Sequence, residues 1–598
     1  ASQAWEDIAG HRGTVQTNGT VDIDAMVASM NAIMDNALPN RAGDPELAGG
    51  ANVSFGYMGM LGRVTLNGTQ AAMDDLHEWT SDTMQIGYGP YTQEGQGGHI
   101  GFSADGFWFQ HNNASTTPNR HQTYAIGYFG DWAGDFAQIG YFLRGTTVAF
   151  PQAWWDRLFT CALNLKTLLY RDHMPHILLG REGTKPPGEP DLQGGRVASL
   201  LSSVLAYADG HADAGLSADI QAFQAVATAD QAHATGVKVS PQHGMMSWTG
   251  ANHHVLVKTG SSRTNAADPG DGYPSKRKDQ KGAYVFQSGD DYINMRPVLY
   301  QHVPGALATD YPKEDITEGM GVQRRHVSFE DPREGGVKLS DTLALSAAYM
   351  HWTEGETARG AVMRAVLGNK MLHLWQGIIQ SGTVQHDVKL TLENREWSGG
   401  AITYDVGTGQ QTESAAFAPK SWTVNAPVWF HYRGMGYIIL PQGDQTIELF
   451  GENRADDYSV YDANSSEAVN PLIWQLMINL GPDPGGASAA YVLFPAATPA
   501  EVATAATNIG ITIQANSEGI MVVRDDNAGN RVAAFFEPGA AAGLSSDQRV
   551  LLAISGTNAT ASSLDQSADQ ATIQINGNDY PVPFPWGNFA GMDTPFSL

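Results

Sequence analysis

The 598-residue chain contains one cysteine, Cys161. No disulfide can form within it, so cysteine usage says little about compartment. No apolar run reaches the roughly 18 residues a helix needs to cross a bilayer. Positive charge is scarce: 35 Lys and Arg face 62 Asp and Glu, for a formal net charge of −27. Such a surface repels nucleic acid and anionic membranes on average, so neither is expected as a partner. A local basic cleft can still accept an anionic ligand. There is no HExxH segment and no Cys/His cluster with metal-ligand spacing. The glycines of GYFGDWAGDFAQIG lack the preceding strand and following helix that a nucleotide fingerprint requires. No repeat of 20–50 residues is found. The opening ASQAWEDIAG has neither a basic n-region nor an apolar h-region, and it is compatible with a mature end left by signal cleavage.

What is present is a large apolar inventory, 42% hydrophobic and 9% aromatic, with 67 glycines and 29 prolines. That suits several cores linked by many turns, and the length predicts two to four domains. The first third carries helical spacing. TVDIDAMVASMNAIMDNAL repeats apolar positions from Ile23 to Met34. PQAWWDRLFTCALNLKTLLY opens on Pro151, a good first-turn residue, and RVASLLSSVLAYA and SADIQAFQAVATADQAHA continue the period. Near residue 237 the period changes. HHVLVKTG, GAYVFQSG, KLSDTLALSAAYMHW, KMLHLWQGIIQSG, DVKLTLENREW, VWFHYRGMGYIILP and QTIELFGE read as strands between turns, and shorter strands follow from about Gly510. The pattern predicts a multidomain α+β protein. An α/α array spans 1–235, a central antiparallel β-sandwich 236–508, and a small β-domain 509–598.

One stretch concentrates chemistry. GFSADGFWFQHNNAS places Phe107, Trp108 and Phe109 directly before His111 and Asn112. The aromatics suit a core or a groove wall, and Trp108 is also able to stack on a sugar ring. The densest basic run is YPSKRKDQK, with Arg277 and Lys278. It reads as a solvated loop or as an electrostatic landing site for an anionic polymer. His253 and His254 alternate on a strand, so at most one points into any site. Asp290 and Asp291 are read as turn residues, with structural calcium as the alternative.

Several of these segments, in this order, resemble the polysaccharide lyase family 8 group, which includes hyaluronate, chondroitin and xanthan lyases. ADGFWFQHN resembles its Asp-Gly-x-x-x-x-His segment, YAIGYFGDW its Tyr-x-Gly-x-Tyr-Gly segment, LRGT the helix end that follows, and HILLGREGTK its Gly-Arg segment. HHVLVKTGSSRTN, LWQGIIQSG, KLTLENR, YVLFP and IQANSEGIMVV follow in the family's order. A neighbouring lyase family of the same architecture is similar as well. The resemblance implies an incomplete α/α toroid followed by antiparallel β-sandwiches, acting on a uronic-acid polysaccharide by β-elimination. No organic cofactor is implied.

Elimination needs a group that neutralises the uronate carboxylate, a base for the C5 proton and an acid for the leaving oxygen. A tyrosine can be both base and acid if a nearby arginine favours its phenolate, and a neutral histidine is a base near pH 7. By resemblance, His111, six residues after Asp105, takes the catalytic histidine position, with His121 as the alternate, seven residues before Tyr128. Tyr128 takes the role of base and acid, and Arg181 tunes it. Tyr124 and Lys185 join the substrate contacts with Trp108, Arg277 and Lys278. The family's Asn-Trp-Trp motif is absent, so Asn52 and Asn112 stand in for its carboxylate-binding asparagine. No glutamate falls near DGYPSKRKDQKG, where Asp271, Tyr273, Arg277 and Lys278 occupy the region. The expected protein is a secreted or periplasmic monomer that acts on an acidic polysaccharide. The other readings are a glycoside hydrolase using two of Asp105, Asp131 and Asp135, or a glycan-binding protein without catalysis.

Overall fold

The computed structural model describes residues 61–62, 64, 70–84, 86–88, 101–110, 121–123, 127–174, 178, 193–208, 210–229, 231–260, 264–265, 282–287, 302–309, 331–350, 357–381, 386–397, 399–454, 456–457, 468–517 and 519–598. These fall into two compact units. One draws on 1–88, 94–165 and 195–226, and the other on 89–93, 166–194 and 227–598. The expected helix over TVDIDAMVASMNAIMDNAL lies outside the described residues.

The first unit is mainly helical. Its described helices are Gln70–Met84, Gly127–Leu143, Gln152–Asn164, Gln193–Ala208 and Ala214–Val226. Pro151 precedes the third, where its fixed φ and missing N–H cost nothing. The second runs through the glycine-rich segment GYFGDWAGDFAQIGYFL. Its apolar side chains offset the glycines: Phe129, Trp132, Phe136 and Ile139 are all fully buried. Gly140 is required by close approach, because an added Cβ would lie 2.5 Å from both Phe150 and Trp155.

The second unit is dominated by sheets. A nine-stranded sheet runs, in spatial order, Glu334–Ser340, Leu343–Met350, Thr357–Leu367, Lys370–Ser381, Ala487–Pro495, Met435–Ile439, Val428–Tyr432, Ile402–Asp405 and Gln411–Glu413. A five-stranded sheet runs Leu307–Thr309, Val388–Glu396, Leu472–Asn479, Gln445–Asn453 and Phe417–Val424. Neighbouring strands within both are antiparallel. One core lies between these two sheets, with Val362, Val366 and Trp375 meeting Leu390, Ile447 and Trp474. The opposite face of the nine-stranded sheet has its own core. There Met363, Leu374 and Val492 pack with Val502, Val523 and Leu551 of the C-terminal segments.

Burial on both faces explains the strand patterns. Leu343–Met350 (LALSAAYM) is buried at nearly every position, whereas Gln445–Asn453 alternates as a strand with one wet face must. The segment VWFHYRGMGYIILP is a hairpin of Val428–Tyr432 and Met435–Ile439, turning at Arg433 and Gly434 with φ of 46° and 86°. The C-terminal strands form a six-stranded and a four-stranded sheet, joined by a core that includes Phe535, Leu552, Ile573 and Val582. Helix Pro499–Thr507 carries a complete capping box between Thr498 and Glu501, with Pro499 in its first turn.

A buried ion pair joins Arg395 and Glu393 of strand Val388–Glu396. Arg395 Nη2 donates to Glu393 Oε2 at 2.6 Å, the Tyr437 hydroxyl donates to the same oxygen, and the Asn394 N–H donates to Oε1 at 2.9 Å. Removing the carboxylate takes away the opposite charge from a buried guanidinium. Glu393→Ala is therefore expected to cost about 3–5 kcal/mol, read as a lower midpoint in urea unfolding.

Candidate active site

The Asp-Gly pair of ADGFWFQHN is a turn. Strands Gly101–Ser103 and Trp108–Gln110 pair antiparallel, and the residues between them reverse the chain. Gly106 sits at φ +83°, and an added Cβ there would meet Asn164 Nδ2 at 2.4 Å. Asn164 Nδ2 donates to the Gly106 carbonyl at 2.7 Å. Asp105 is buried, and its carboxylate accepts from the Ser103 hydroxyl at 2.5 Å. The Ser103 N–H donates to the Phe107 carbonyl at 3.0 Å. Asp105 thus serves the turn, which removes it from the carboxylate pair that a hydrolase would need.

The aromatic triplet is resolved in the same way. Trp108 is 1% exposed and Phe107 2%. The Trp108 ring lies 4.0 Å from Trp132 and 5.4 Å, edge-on, from Phe102, and Trp132 lies 4.0 Å from Phe136. The expectation that Trp108 stacks on a sugar is corrected: the ring is sealed from solvent among protein rings, because helix Gly127–Leu143 presents its apolar stripe there. This aromatic core ties the turn strands to the helix that carries Tyr128.

Strand Trp108–Gln110 pairs in turn with His121–Thr123, Phe109 opposite Thr123 and Gln110 opposite Gln122. The two paired strands are separated in sequence by residues 111–120, which lie outside the described residues. His121 opens the return strand, and His111 follows Gln110 in sequence. Tyr128 is the second residue of helix Gly127–Leu143. His111, Asn112, Tyr124, Arg181, Lys185, Arg277, Lys278 and Asn52 lie outside the described residues.

In the second unit, a polar turn precedes the Arg181 segment. Tyr170 bridges to both His173 and Ala232. Arg171 is held at φ +60°, His173 Nδ1 lies 2.5 Å from Asp172 Oδ1, and His233 Nε2 contacts the Arg171 carbonyl. Burial outweighs that carbonyl contact and the nearby Asp172, and holds the His233 ring below its ordinary pKa. Sequence reasoning missed this group. The charged tripeptide Arg171-Asp172-His173 amid apolar residues was its signal. The Tyr170 ring stacks on His254, 5.8 Å between centroids and 12° from parallel. His254 is fully buried, with Nδ1 2.7 Å from the Thr249 hydroxyl. His253, next along the strand, packs edge-on to Trp248 at 4.7 Å. Burial pushes His253 down to about 4, and burial together with His253 pushes His254 down to about 3. Among the described residues, no group of three or more His, Cys, Asp or Glu could hold a metal ion.

The buried imidazoles set a pH dependence. An unfolded chain protonates them near 6.5, while the folded chain keeps them neutral until about 3–4. Their contribution is complete above pH 6.5 and is lost as pH falls below it, at about 1.4 kcal/mol per pH unit for a fully buried ring. The thermal midpoint is expected to drop between pH 7 and 4.5. His254→Phe, which keeps the ring on Tyr170, is expected to flatten that drop.

Comparison with known proteins agrees with this architecture. Residues 236–506 match the polysaccharide lyase family 8 super-sandwich domain. Chondroitinase-AC of Pedobacter heparinus is 23% identical over 287 residues, 45% of this chain and 38% of that protein, so the match spans well under half of the relative's length. A solved chondroitinase AC lyase superposes with a TM-score of 0.75 at 16% identity, covering 95% of this chain and 81% of that one. The chondroitin AC lyase of Streptomyces coelicolor A3, solved with chondroitin sulphate, gives 0.73 at 15% identity over 100% and 88%. Xanthan lyase of Paenibacillus gives 0.72 at 14% over 92% and 56%. Residues 236–506 are thus similar to the super-sandwich domain of polysaccharide lyase family 8, and the fold as a whole is similar to that of solved chondroitin and xanthan lyases.

Proposed function

We propose that this protein is a polysaccharide lyase. It cleaves a uronic-acid-containing polysaccharide, of the chondroitin sulfate or hyaluronan type, by β-elimination and leaves a 4,5-unsaturated uronate end. The observation that carries this reading is the match of residues 236–506 to the lyase super-sandwich domain, downstream of the His111, Tyr128 and Arg181 segments in family order. The likeness to chondroitinase-AC supports a glycosaminoglycan substrate, with alginate and xanthan as the other uronate polymers to compare. In this reading the first unit's helices belong to an incomplete α/α toroid, and the protein works outside the cytoplasm as a monomer.

The chemistry follows from the weak acidity of a proton beside a charged carboxylate. A residue of the His111 and Asn112 segment hydrogen-bonds the uronate carboxylate, so that negative charge from C5 spreads onto it. The Tyr128 phenolate, favoured by the Arg181 guanidinium, removes the C5 proton. The C5 electrons form the C4–C5 double bond as the C4–O bond breaks, and the Tyr128 hydroxyl returns the proton to the leaving oxygen. No water adds, so the non-reducing product is unsaturated. The basic run with Arg277 and Lys278 draws the acidic polymer to an otherwise acidic protein.

Incubation with defined uronate polymers tests this directly. Ultraviolet absorbance from unsaturated ends is expected, and Tyr128→Phe is expected to lower kcat by at least about 10³-fold with the thermal midpoint unchanged. Reducing ends without absorbance would identify a hydrolase and overturn the reading. The larger kcat loss between His111→Ala and His121→Ala identifies the working histidine.

A further inference from the structure

The chemistry above uses none of the ionisable groups sealed between the two large sheets. On four neighbouring strands of the nine-stranded sheet, Ser346 stands directly opposite Arg364, Arg364 opposite His373, and His373 opposite Tyr491. Side chains in direct register share a face. This is the face that sends Val362, Val366, Met371 and Trp375 into the core between the sheets. Ser346 is 3% exposed, and Arg364, His373 and Tyr491 are fully buried.

The hydrogen-bond inventory of this row is one-sided. Arg364 Nη2 donates to the Gly305 carbonyl at 2.7 Å. Among the described residues, Arg364 Nε and Nη1, the Ser346 hydroxyl, His373 Nε2 and Trp375 Nε1 have no hydrogen-bond partner. The Tyr491 hydroxyl lies 3.0 Å from His373 Nδ1. Burial raises the phenol and lowers the imidazole, so both are neutral at pH 7. The phenol then donates to Nδ1, which leaves Nε2–H as a further donor. Among the described residues, the unpaired atoms on this row are four donor nitrogens and the Ser346 hydroxyl.

The charge balance points the same way. Burial pulls Arg364 down only to about 10, so it remains a cation at neutral pH. Among the described residues no carboxylate pairs with it, and its guanidinium lies 5.6 Å from the Trp375 ring. The nearby acid, Glu393, is already matched by Arg395 and held by Tyr437 and the Asn394 N–H. Among the described residues the Arg364 guanidinium is thus left without a matching charge in a dry interior, where an unpaired ion is strongly disfavoured.

We propose that Arg364, with Ser346, His373 and Trp375, forms a buried binding site for a small monovalent inorganic anion of the chloride class. The anion supplies the missing acceptor and the missing charge, and its role is structural. It depends on neither the substrate nor the elimination chemistry.

The test uses the full chain in sodium chloride and in sodium gluconate at equal ionic strength, gluconate being too large to enclose. Chloride is expected to raise the thermal midpoint saturably, by on the order of 2 °C. Arg364→Met is expected to fold, because an unbranched apolar chain replaces a buried charge, and to lose the response. Crystals grown in bromide are expected to show an anomalous peak beside Arg364 in the wild type and none in Arg364→Met. Equal midpoints in the two salts, an unchanged response in Arg364→Met, or the absence of a bromide peak would overturn the proposal, the last pointing to buried water instead. Should Arg364→Met not fold, Ser346→Ala is expected to need several-fold more chloride for half of the shift, and an unchanged requirement would equally overturn the site.

Discussion

The second unit depends on one constraint: its nine-stranded sheet is buried on both faces. Each residue on the central strands must satisfy one of two cores. A slip of one residue would exchange every side chain between them. Met363, Leu374 and Val492 would turn toward the five-stranded sheet, and the row of Ser346, Arg364, His373 and Tyr491 would turn toward the C-terminal strands. The polar atoms on that row have little water to fall back on. Burial therefore holds Arg364 and His373 below their ordinary pKa values and Tyr491 above its own.

The first unit solves a different problem. A turn, two short strands and a glycine-rich helix are too small to be stable alone. They are welded by aromatic rings: Phe102, Trp108, Phe129, Trp132 and Phe136 pack with centroids 4.0–6.2 Å apart. The same weld holds the hairpin that His121 enters and the helix on which Tyr128 rides. Bulk that reads as a candidate sugar platform is the anchor for the residues beside it.

Legibility tracked how local the signal was. HHVLVKTG, KMLHLWQGIIQSG and QTIELFGE became His253–Lys258, Lys370–Ser381 and Gln445–Asn453, because β-branched and aromatic alternation is written within each strand. The helix Gly127–Leu143 was legible only through the resemblance, which places a helix end at LRGT, and not from its own period. Its glycines mimic a loop, and their compatibility with a helix rests on Phe150 and Trp155, which lie further along the chain. The capping box at Thr498 and Glu501 was legible by spacing but lay between two strand-rich blocks, where the β pattern dominates. Trp108 and Asp105 carried genuine motif signals. The motif does not reveal that one is sealed by Trp132 and the other is held by Ser103.

By itself, the sequence determined the change of period near residue 237, the net negative charge, and the order of the His, Tyr and Gly-Arg segments. Each is a property of residues near one another along the chain. Only the tertiary structure decided that Trp108 is core, that Asp105 serves a turn, that His254 is held neutral against Tyr170, and that Arg364 lies buried with no carboxylate partner among the described residues. Burial and pairing depend on what distant segments bring to the same place, and a periodicity records only how a side chain stands on its own strand or helix.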